Sequence, residues 1–508
     1  MAGKQLRSAL ISVYNKEGLE PLVAKLKELG VEFYSTGGTQ RFLEEQGVEV
    51  TAVEQLTGYP SILDGRVKTL HPKVFGGILA RREAAHSSQL EKYEIPEIDL
   101  VVVDLYPFEE TVAGTSDEAS IIEKIDIGGI ALIRAAAKNY SDVAVVASHS
   151  DGDYLLEILQ KNEGGTTLEE RRELARRAFM ISSHYDTQIF HYFNRESDDW
   201  SFKESILNHS VLRYGENPHQ EARFHGDLNG LFEKLNGKDL SYNNLVDIDA
   251  AVGLMAEFEN SLPTFAVLKH TNSCGLATRS TLAEAWRAAL AGDNVSAFGG
   301  IMICNREVDL ETAREIDEIF YEVLIAPGFS AEALEFLRRK KKRIVLRIKS
   351  FARAKRQYRR LLNGVVEQDA DLKTETREEL EVATRVAPHD EEVADLLFAN
   401  KCVKHLKSNA IALVKGRQLI GMGCGQTSRV DALQQAIDKA GRFGFDLEGA
   451  VMASDAFFPF PDCVEMAHLA GIRAVIQPGG SIRDKDSIGY CDEHGMAMVL
   501  TGVRHFKH

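Results

Sequence analysis

The 508-residue chain has no run approaching the roughly 18 consecutive apolar residues of a membrane-spanning helix. Its apolar patch Ala9–Val13 is too short for a signal-peptide core, so the expected location is the cytoplasm. Cysteines are few and scattered: Cys274, Cys304, Cys402, Cys424, Cys463 and Cys491 form no C-x-x-C pair, which argues against a structural zinc site or a disulfide framework. Positive charge is also in short supply. With 60 Lys and Arg against 76 Asp and Glu the net charge is −16, which disfavours whole-surface attraction to nucleic acid or an anionic membrane. Anionic ligands then need local cationic pockets. What is present, 44% hydrophobic and 27% charged residues, excludes a disordered or fibrous chain, and the length predicts about three domains.

The first half alternates strand and helix patterns. Leu6–Val13 reads as a buried strand, Glu17–Leu29 as an amphipathic helix stopping at Gly30, and Val31–Ser35 as a second strand. A short helix is predicted after the turn Thr36-Gly37-Gly38-Thr39, extended chain at Val48–Val53, and central parallel strands at Leu100–Val103 and Val143–Ala147. These elements predict a doubly wound parallel sheet to about residue 150, closed by the helix-rich stretch Leu155–Phe193. Polar Asn194–Ser201 is the expected linker. Farther on, the strand Thr264–Leu268 runs into Lys269-His270-Thr271-Asn272-Ser273-Cys274-Gly275. An echo between Ser296-Ala297-Phe298-Gly299-Gly300 with Ala326-Pro327-Gly328 and Ser454-Asp455-Ala456-Phe457-Phe458 with Pro478-Gly479-Gly480 predicts two related α/β units, divided near Gly364.

Charge is uneven along the chain. Residues 1–200 carry net −12 and the remainder net −4, partly because 338–360 holds 13 Lys and Arg and no acid. That basic run reads as a solvated helix and edge strand rather than a nucleic-acid patch.

Several clusters have the residue types of active sites. Ser35-Thr36-Gly37-Gly38-Thr39, between a strand and a helix, offers glycines for close approach and hydroxyls and helix N–H groups for a phosphate. Lys16, Arg66 and Lys68 supply cations that a doubly wound sheet would bring to neighbouring strand ends. Asp104 and Tyr106 end the most apolar strand. Asp126 opens the Ala-rich helix Ile130–Asn139, on which Arg134 and Lys138 share a face; Asp126 and Lys138 also suit plain capping roles at its two ends. The stretch 212–220 is a binding loop or simply a turn. A bend after Lys269-His270 presents a cation and a candidate general base, with a hydrogen-bonded structural His as the alternative.

These motifs, in this order, resemble the bifunctional purine-biosynthesis family that joins 5-aminoimidazole-4-carboxamide ribonucleotide (AICAR) formyltransferase to inosine monophosphate (IMP) cyclohydrolase. The resemblance spans the whole chain: Ser-Thr-Gly-Gly-Thr at 35–39, Gly-Arg-Val-Lys-Thr-Leu-His-Pro at 65–72, Asp-Leu-Tyr-Pro-Phe at 104–108, Ile-Asp-Ile-Gly-Gly at 125–129 and Arg-Ala-Ala-Ala-Lys-Asn at 134–139. It continues with Leu-Arg-Tyr-Gly-Glu-Asn-Pro-His-Gln at 212–220, Leu-Lys-His at 268–270, Ser-Asp-Ala-Phe-Phe-Pro-Phe at 454–460 and the 504–508 tail.

The resemblance implies a methylglyoxal-synthase-like domain over 1–199, which is the cyclohydrolase, and two cytidine-deaminase-like units over 200–364 and 365–508, which are the transferase. The deaminase likeness would be architectural, because His389-Asp390-Glu391 lacks a following P-C-x-x-C and no catalytic metal is expected. In formyl transfer from 10-formyltetrahydrofolate, the resemblance implies His270 as base, Lys269 as charge stabiliser and Asn409 as orienting group. Arg213, Tyr214, Gly299, Glu322 and Arg429 would hold AICAR; Val430, Asp455, Phe457, Gly479, Gly480 and Arg504 would hold the folate. In ring closure it implies Lys138 as the proton-transfer group, assisted by Lys68, Tyr106 and Asp126. Ser12, Asn15, Lys16, Thr36, Gly37, Gly38, Thr39, Arg66, Val67, Thr69, Asp104 and Ile127 would bind the nucleotide. Tyr14-Asn15, Thr36, Asp104 and Glu322 replace the Ser-Asp, Ser, Asn and Asp of some relatives. The implied partners are small molecules and a second copy in a homodimer with transferase sites at the interface, with neither nucleic acid nor membrane. The basic run 338–360 is a candidate attractor for a polyglutamylated folate tail. Intact motifs in both halves weigh against a single-activity relative, and Lys138 together with the Lys269-His270 pair against a non-catalytic nucleotide-binding protein.

Overall fold

The computed structural model describes residues 3–197 and 201–508, and the chain divides into two compact units, 1–207 and 208–508. Part of the expected linker, 198–200, lies outside the described residues.

In the first unit, short runs of β-branched and aliphatic residues form a five-stranded sheet of β1 (Ser8–Ser12), β2 (Glu32–Ser35), β3 (Val50–Ala52), β4 (Leu100–Val103) and β5 (Ala144–Val146). Every pairing is parallel and the order is β3-β2-β1-β4-β5. Helices include α1 (Glu20–Glu28), α2 (Gly37–Glu45), α3 (Gly128–Lys138) and α4 (Leu168–Asn194). Strands β4 and β5 are apolar and buried throughout, and β1 nearly so, because helices cover both faces of such a sheet, whereas β2 and β3 carry the exposed Glu32 and Thr51. The run Val143–Ala147 therefore reads like a central strand, yet β5 pairs only with β4 and is an edge strand; packing of its faces, rather than a second neighbour, buries it. Helix α4 starts at a reciprocal cap: Thr167 Oγ1 accepts the Glu170 N–H at 3.2 Å, and the Thr167 N–H donates to the Glu170 carboxylate at 2.8 Å.

The second unit contains the same sheet twice. Strands β6 (Phe232–Asn236), β7 (Thr264–Lys269), β8 (Asn272–Thr278), β9 (Ile301–Cys304), β10 (Val323–Ala326) and β11 (Ile344–Ile348) pair in the order β6-β11-β10-β9-β7-β8. After an exposed hairpin of β12 (Arg356–Leu361) and β13 (Gly364–Asp369), strands β14 (Glu381–Val382), β15 (Ile411–Val414), β16 (Leu419–Gly423), β17 (Val451–Ser454), β18 (Ala474–Gln477) and β19 (Ala497–Leu500) pair as β14-β19-β18-β17-β15-β16. Parallel and antiparallel pairings match strand for strand, including a bulge in each of the β7-β8 and β15-β16 hairpins. Helices α5 (Tyr242–Ala256) and α7 (Asp390–Lys404) supply residues to a core common to both sheets, where Phe258 and Phe398 meet at 5.2 Å. Helices α6 (Leu282–Gly292) and α8 (Arg429–Arg442) pack on the outer faces.

The sequence echo is half in register. Ala326-Pro327-Gly328 and Pro478-Gly479-Gly480 follow the equivalent strands β10 and β18, whereas Ser296–Gly300 precedes β9 and Ser454–Phe458 runs out of its equivalent β17. The basic run also divides differently from the expectation: residues 338–342 form an exposed turn, β11 is an internal, mostly buried strand between β6 and β10, and the β12-β13 hairpin stands in solvent.

Candidate active sites

In an open parallel sheet, ligands bind outside the carboxyl ends of the strands where the order reverses, here between β1 and β4. A cavity of about 520 Å³ opens there, lined by Ser12, Lys16, Thr36, Gly38, Thr39, Arg66, Lys68, Thr69, Asp104, Tyr106, Asp126 and Ile127. Helix α2 aims its first-turn N–H groups into it. A Cβ on Gly37 would lie 3.4 Å from the Lys68 ammonium and one on Gly38 would lie 3.7 Å from that of Lys16, so both cations stand over that turn. Thr39 ties the turn to β1, its Oγ1 accepting the Val13 N–H at 3.0 Å and donating to the Val13 carbonyl at 2.9 Å.

Opposite this anion cradle sits a set of proton carriers. Asp126 accepts the Gly129 and Ile130 N–H groups at 2.6 and 3.3 Å, so it caps α3 and lines the cavity at once. A Cβ on Gly129 would lie 2.8 Å from that carboxylate, which is why the position holds glycine. Burial pushes the Asp126 and Asp104 carboxyls above their ordinary range, against the pull of their N–H donors. Burial also raises the Tyr106 phenol, helped by the Asp126 and Glu123 charges. Asp104 accepts the backbone N–H of Tyr14 and, at 2.8 Å, that of Asn15, so it shapes the loop after β1.

Three expected nucleotide contacts fall outside this lining: Gly37 and Val67 are backbone neighbours of lining residues, and Asn15 faces an adjacent cavity of about 220 Å³. Lys138 also falls outside. It does share a face with Arg134, but that face borders a separate cavity of about 650 Å³ with Arg172 and Phe179. Ten residues of helix, about 15 Å at 1.5 Å per residue, separate it from Gly128 at the site end. The helical period is right; the end of α3 that meets the strand ends is the other one. Tyr14, singled out above only as a departure from relatives, packs edge-on to Tyr106 at 5.4 Å, and Lys124, not anticipated, has its ammonium 5.1 and 5.4 Å from those two rings. A second surprise is Glu123, which ion-pairs with Arg66.

The second unit's cluster starts at the β7-β8 turn. His270 and Thr271 have φ of +52° and +64°, unusual for a β-branched residue, and the Thr271 N–H is fixed by Asp247 of α5 at 2.7 Å. Lys269 donates to the Phe298 carbonyl at 2.8 Å, and the next residue, Gly299, bonds to the Phe320 carbonyl at 2.7 Å. Glu322 forms an ion pair with Lys238 at 2.6 Å.

From the other half, Asn409 accepts Arg429 Nη2 at 2.8 Å and donates to the Gln426 carbonyl at 3.0 Å. Arg429 also pairs with the buried Asp455, which accepts the Ala410 N–H at 3.2 Å and the Ser408 hydroxyl. A short relay brings the two halves together. Asn272 donates to the His270 carbonyl at 3.0 Å and accepts the Cys424 thiol at 3.3 Å, and the Cys424 carbonyl accepts Gln426 Nε2 at 3.2 Å.

Gly479 and Gly480, with φ of +73° and +96°, form the loop after β18, pinned by Gln477 and Asp484. Val430 sits in the first turn of α8, Phe457 follows β17, and Arg504 stacks on Phe506 at 5.3 Å. Arg213 and Tyr214 stack on each other at 4.7 Å in the loop of a separate two-stranded ribbon, with no hydrogen bond or ring contact to Lys269 or His270 among the described residues. His389, the H-x-E residue, caps α7, its Nδ1 accepting the Glu392 N–H at 3.2 Å. Among the described residues no group of three or more His, Cys, Asp or Glu is placed to hold a metal ion.

A doubly wound domain with an anion cradle at its switch point, followed by a duplicated α/β unit carrying a Lys-His bend, defines a two-site enzyme of nucleotide chemistry. The chain belongs to the AICARFT/IMPCHase bienzyme family, whose profile matches residues 136–439, and an MGS-like domain matches 18–131. It is 60% identical over 506 residues, 99% of each chain, to the bifunctional purine biosynthesis protein PurH of Bacteroides thetaiotaomicron. It is 48% identical to PurH of Aquifex aeolicus, over 98% of this chain and all of that one. One solved chain, titled crystal structure of ForH, is 38% identical and covers 37% of this chain and 99% of that chain, with a TM-score of 0.34.

Proposed function

We infer that the chain carries out the last two steps of IMP synthesis, formyl transfer to AICAR and closure of the purine ring. The observation that supports this reading is that each unit holds its own set: ammoniums over a helix N-terminus beside buried proton carriers in the first, and the Lys269-His270 bend joined to Asn409 by hydrogen bonds through Asn272, Cys424 and Gln426 in the second.

In the transferase, the 5-amine of AICAR attacks the formyl carbon of a reduced folate, read here as 10-formyltetrahydrofolate. The bond to folate N10 breaks and that nitrogen takes up a proton. The amine is a weak nucleophile because its lone pair is delocalised, so His270 removes its proton, while Lys269 stabilises charge on the formyl oxygen and Asn409 orients the reactants. Arg429, Gly299 and Glu322, with the ribbon residues Arg213 and Tyr214, bind the ribonucleotide. Val430, Asp455, Phe457, Gly479, Gly480 and Arg504 border the folate.

In the cyclohydrolase, the carboxamide nitrogen attacks the formyl carbon and the former formyl oxygen leaves as water. Lys16, Lys68 and the first turn of α2 hold the phosphate. Asp126 accepts one proton from the attacking carboxamide nitrogen and Tyr106 passes one to the former formyl oxygen; as the C–O bond breaks and the ring C=N bond forms, the formamido nitrogen gives up the second proton that completes the leaving water. Lys138, distant from these atoms within its own chain, is read as a positioning residue at the C-terminal end of α3.

We read the architecture as 1–199, 200–364 and 365–508, the latter two cytidine-deaminase-like, and the working form as a cytoplasmic homodimer with transferase sites shared between subunits. Exposed Phe298 and Ile482 on site loops fit such sharing. No helix among the described residues is long and apolar enough to cross a membrane. Incubation with AICAR and 10-formyltetrahydrofolate is expected to yield IMP, with formyl-AICAR alone also converted; no IMP from either would defeat the reading.

A further inference from the structure

The last residues of the chain are held by contacts that the two reactions do not themselves require. His505 is 3% exposed. Its Nδ1 lies 2.7 Å from Asp371, and its Nε2 lies 3.1 and 3.2 Å from the two oxygens of Glu375. Glu375 is braced by Asn400 of α7 at 2.7 Å, and Asp371 has the Lys404 ammonium 3.8 Å away. Both ring nitrogens of His505 therefore face carboxylates, and a ring that donates twice is an imidazolium. Burial opposes that charge, but the two acids prevail and lift the group to about 9.

The backbone around this ring reaches the transferase cluster. The His505 N–H donates to the Asp455 carbonyl at 3.1 Å. Two residues on, the Lys507 N–H donates to Ser408 Oγ at 2.9 Å, and the Lys507 carbonyl accepts the Ser408 N–H at 2.9 Å. Ser408 precedes Asn409, and its hydroxyl donates to the same Asp455 carboxylate that pairs with Arg429. The tail thus acts as an extra strand-like strap along Ser408, closed at one end by the His505 clamp.

We propose that His505, pinned between Asp371 and Glu375, is a positioning residue for formyl transfer, locking the carboxy-terminal tail against Ser408 and Asp455 and so fixing Asn409 and Arg429. The proposal rests on the transferase reading above. Its consequence is specific to one of the two activities, because the ring-closing residues lie in the other unit.

The test compares the full-length protein with His505→Gln and Glu375→Gln. His505→Gln is expected to lower kcat for formyl transfer about tenfold or more while the AICAR KM moves less than about threefold. Closure of supplied formyl-AICAR is expected to stay within about twofold of the unsubstituted protein. The kcat profile of the unsubstituted protein is expected to fall through about pH 9, a limb that His505→Gln lacks and that Glu375→Gln moves to lower pH. Amide hydrogen exchange supplies a readout independent of activity: residues 408–410 and 505–507 exchange faster in His505→Gln, while β15 and β17 are unchanged. Unaltered kcat, equal loss of both activities, or unchanged exchange at 408–410 would each overturn the clamp. Absence of formyl transfer in the unsubstituted protein would instead remove the transferase reading and leave the exchange comparison to decide the clamp.

Discussion

At the scale of single residues, burial does two different things to carboxylates. In the first unit it raises Asp126 and Asp104 and lifts the Tyr106 phenol, so that the Asp126 carboxylate is a stronger base than a solvated one and the phenol holds its proton more firmly. Asp126→Asn keeps an acceptor for the cap of α3 but cannot take a proton. It should slow ring closure by about 10²–10⁴-fold and leave formyl transfer unchanged, as separate assays of the two steps would show. In the second unit, Glu257 is buried too, yet hydrogen bonds from His405, Lys404 and Thr374 outweigh burial and hold it at about 2. Burial lowers His405 to about 4 despite Glu257, which keeps the imidazole neutral. Both signs agree. The Glu257 contribution is complete above its ordinary value of 4.5 and is lost as pH falls towards 2, while the neutral His405 adds a loss that starts earlier, at its ordinary 6.5, where the unfolded imidazole takes a proton that the folded one refuses until about 4. The melting temperature of the second unit should therefore decline from about pH 6.5 and fall further between about pH 4.5 and 2. Glu257→Ala, which leaves the buried Lys404 ammonium without its 2.8 Å partner, should cost about 3–5 kcal/mol in denaturant unfolding at neutral pH.

At the scale of elements, the duplicated sheet is enforced by close packing of each hairpin on its outer helix. A Cβ on Gly275 of β8 would lie 1.7 Å from the Ala289 carbonyl of α6, and one on Gly423 of β16 would lie 1.9 Å from the Ala432 carbonyl of α8. The obstacles are backbone atoms of helices and cannot rotate away. Either glycine changed to alanine should cost about 3 kcal/mol or more, seen as lost folded yield and a lower melting temperature. The strands were readable as strands because a parallel strand covered on both faces is apolar along its length. Their order was not, since pairing is a property of partners distant in the chain; hence Val143–Ala147 looks central and lies at the edge. Lys138 teaches the same lesson for helices. Periodicity places it with Arg134, but only the fold reveals which end of α3 meets the cavity. Asp104 was legible as a strand-end carboxylate, while its hold on the Tyr14-Asn15 loop depends on a contact across some 90 residues. The H-x-E segment shows the reverse risk, a motif whose local geometry is a helix cap.

At the scale of the whole molecule, the net charge of −16 describes the surface and not the sites. The first unit is the more acidic part of the chain, yet its cavity sets Lys16 and Lys68 over a helix N-terminus, where an anion is favoured locally. The two units have separate cores, so damage to one site should spare the other. The most direct test follows all products when AICAR and 10-formyltetrahydrofolate are given to the unsubstituted protein, to Lys68→Ala and to His270→Ala. The unsubstituted protein should make IMP. Lys68→Ala should accumulate formyl-AICAR, and His270→Ala should make almost nothing from AICAR while still converting supplied formyl-AICAR to IMP. Loss of both steps in either variant, or full IMP formation from AICAR by either, would contradict the assignment of one reaction to each unit.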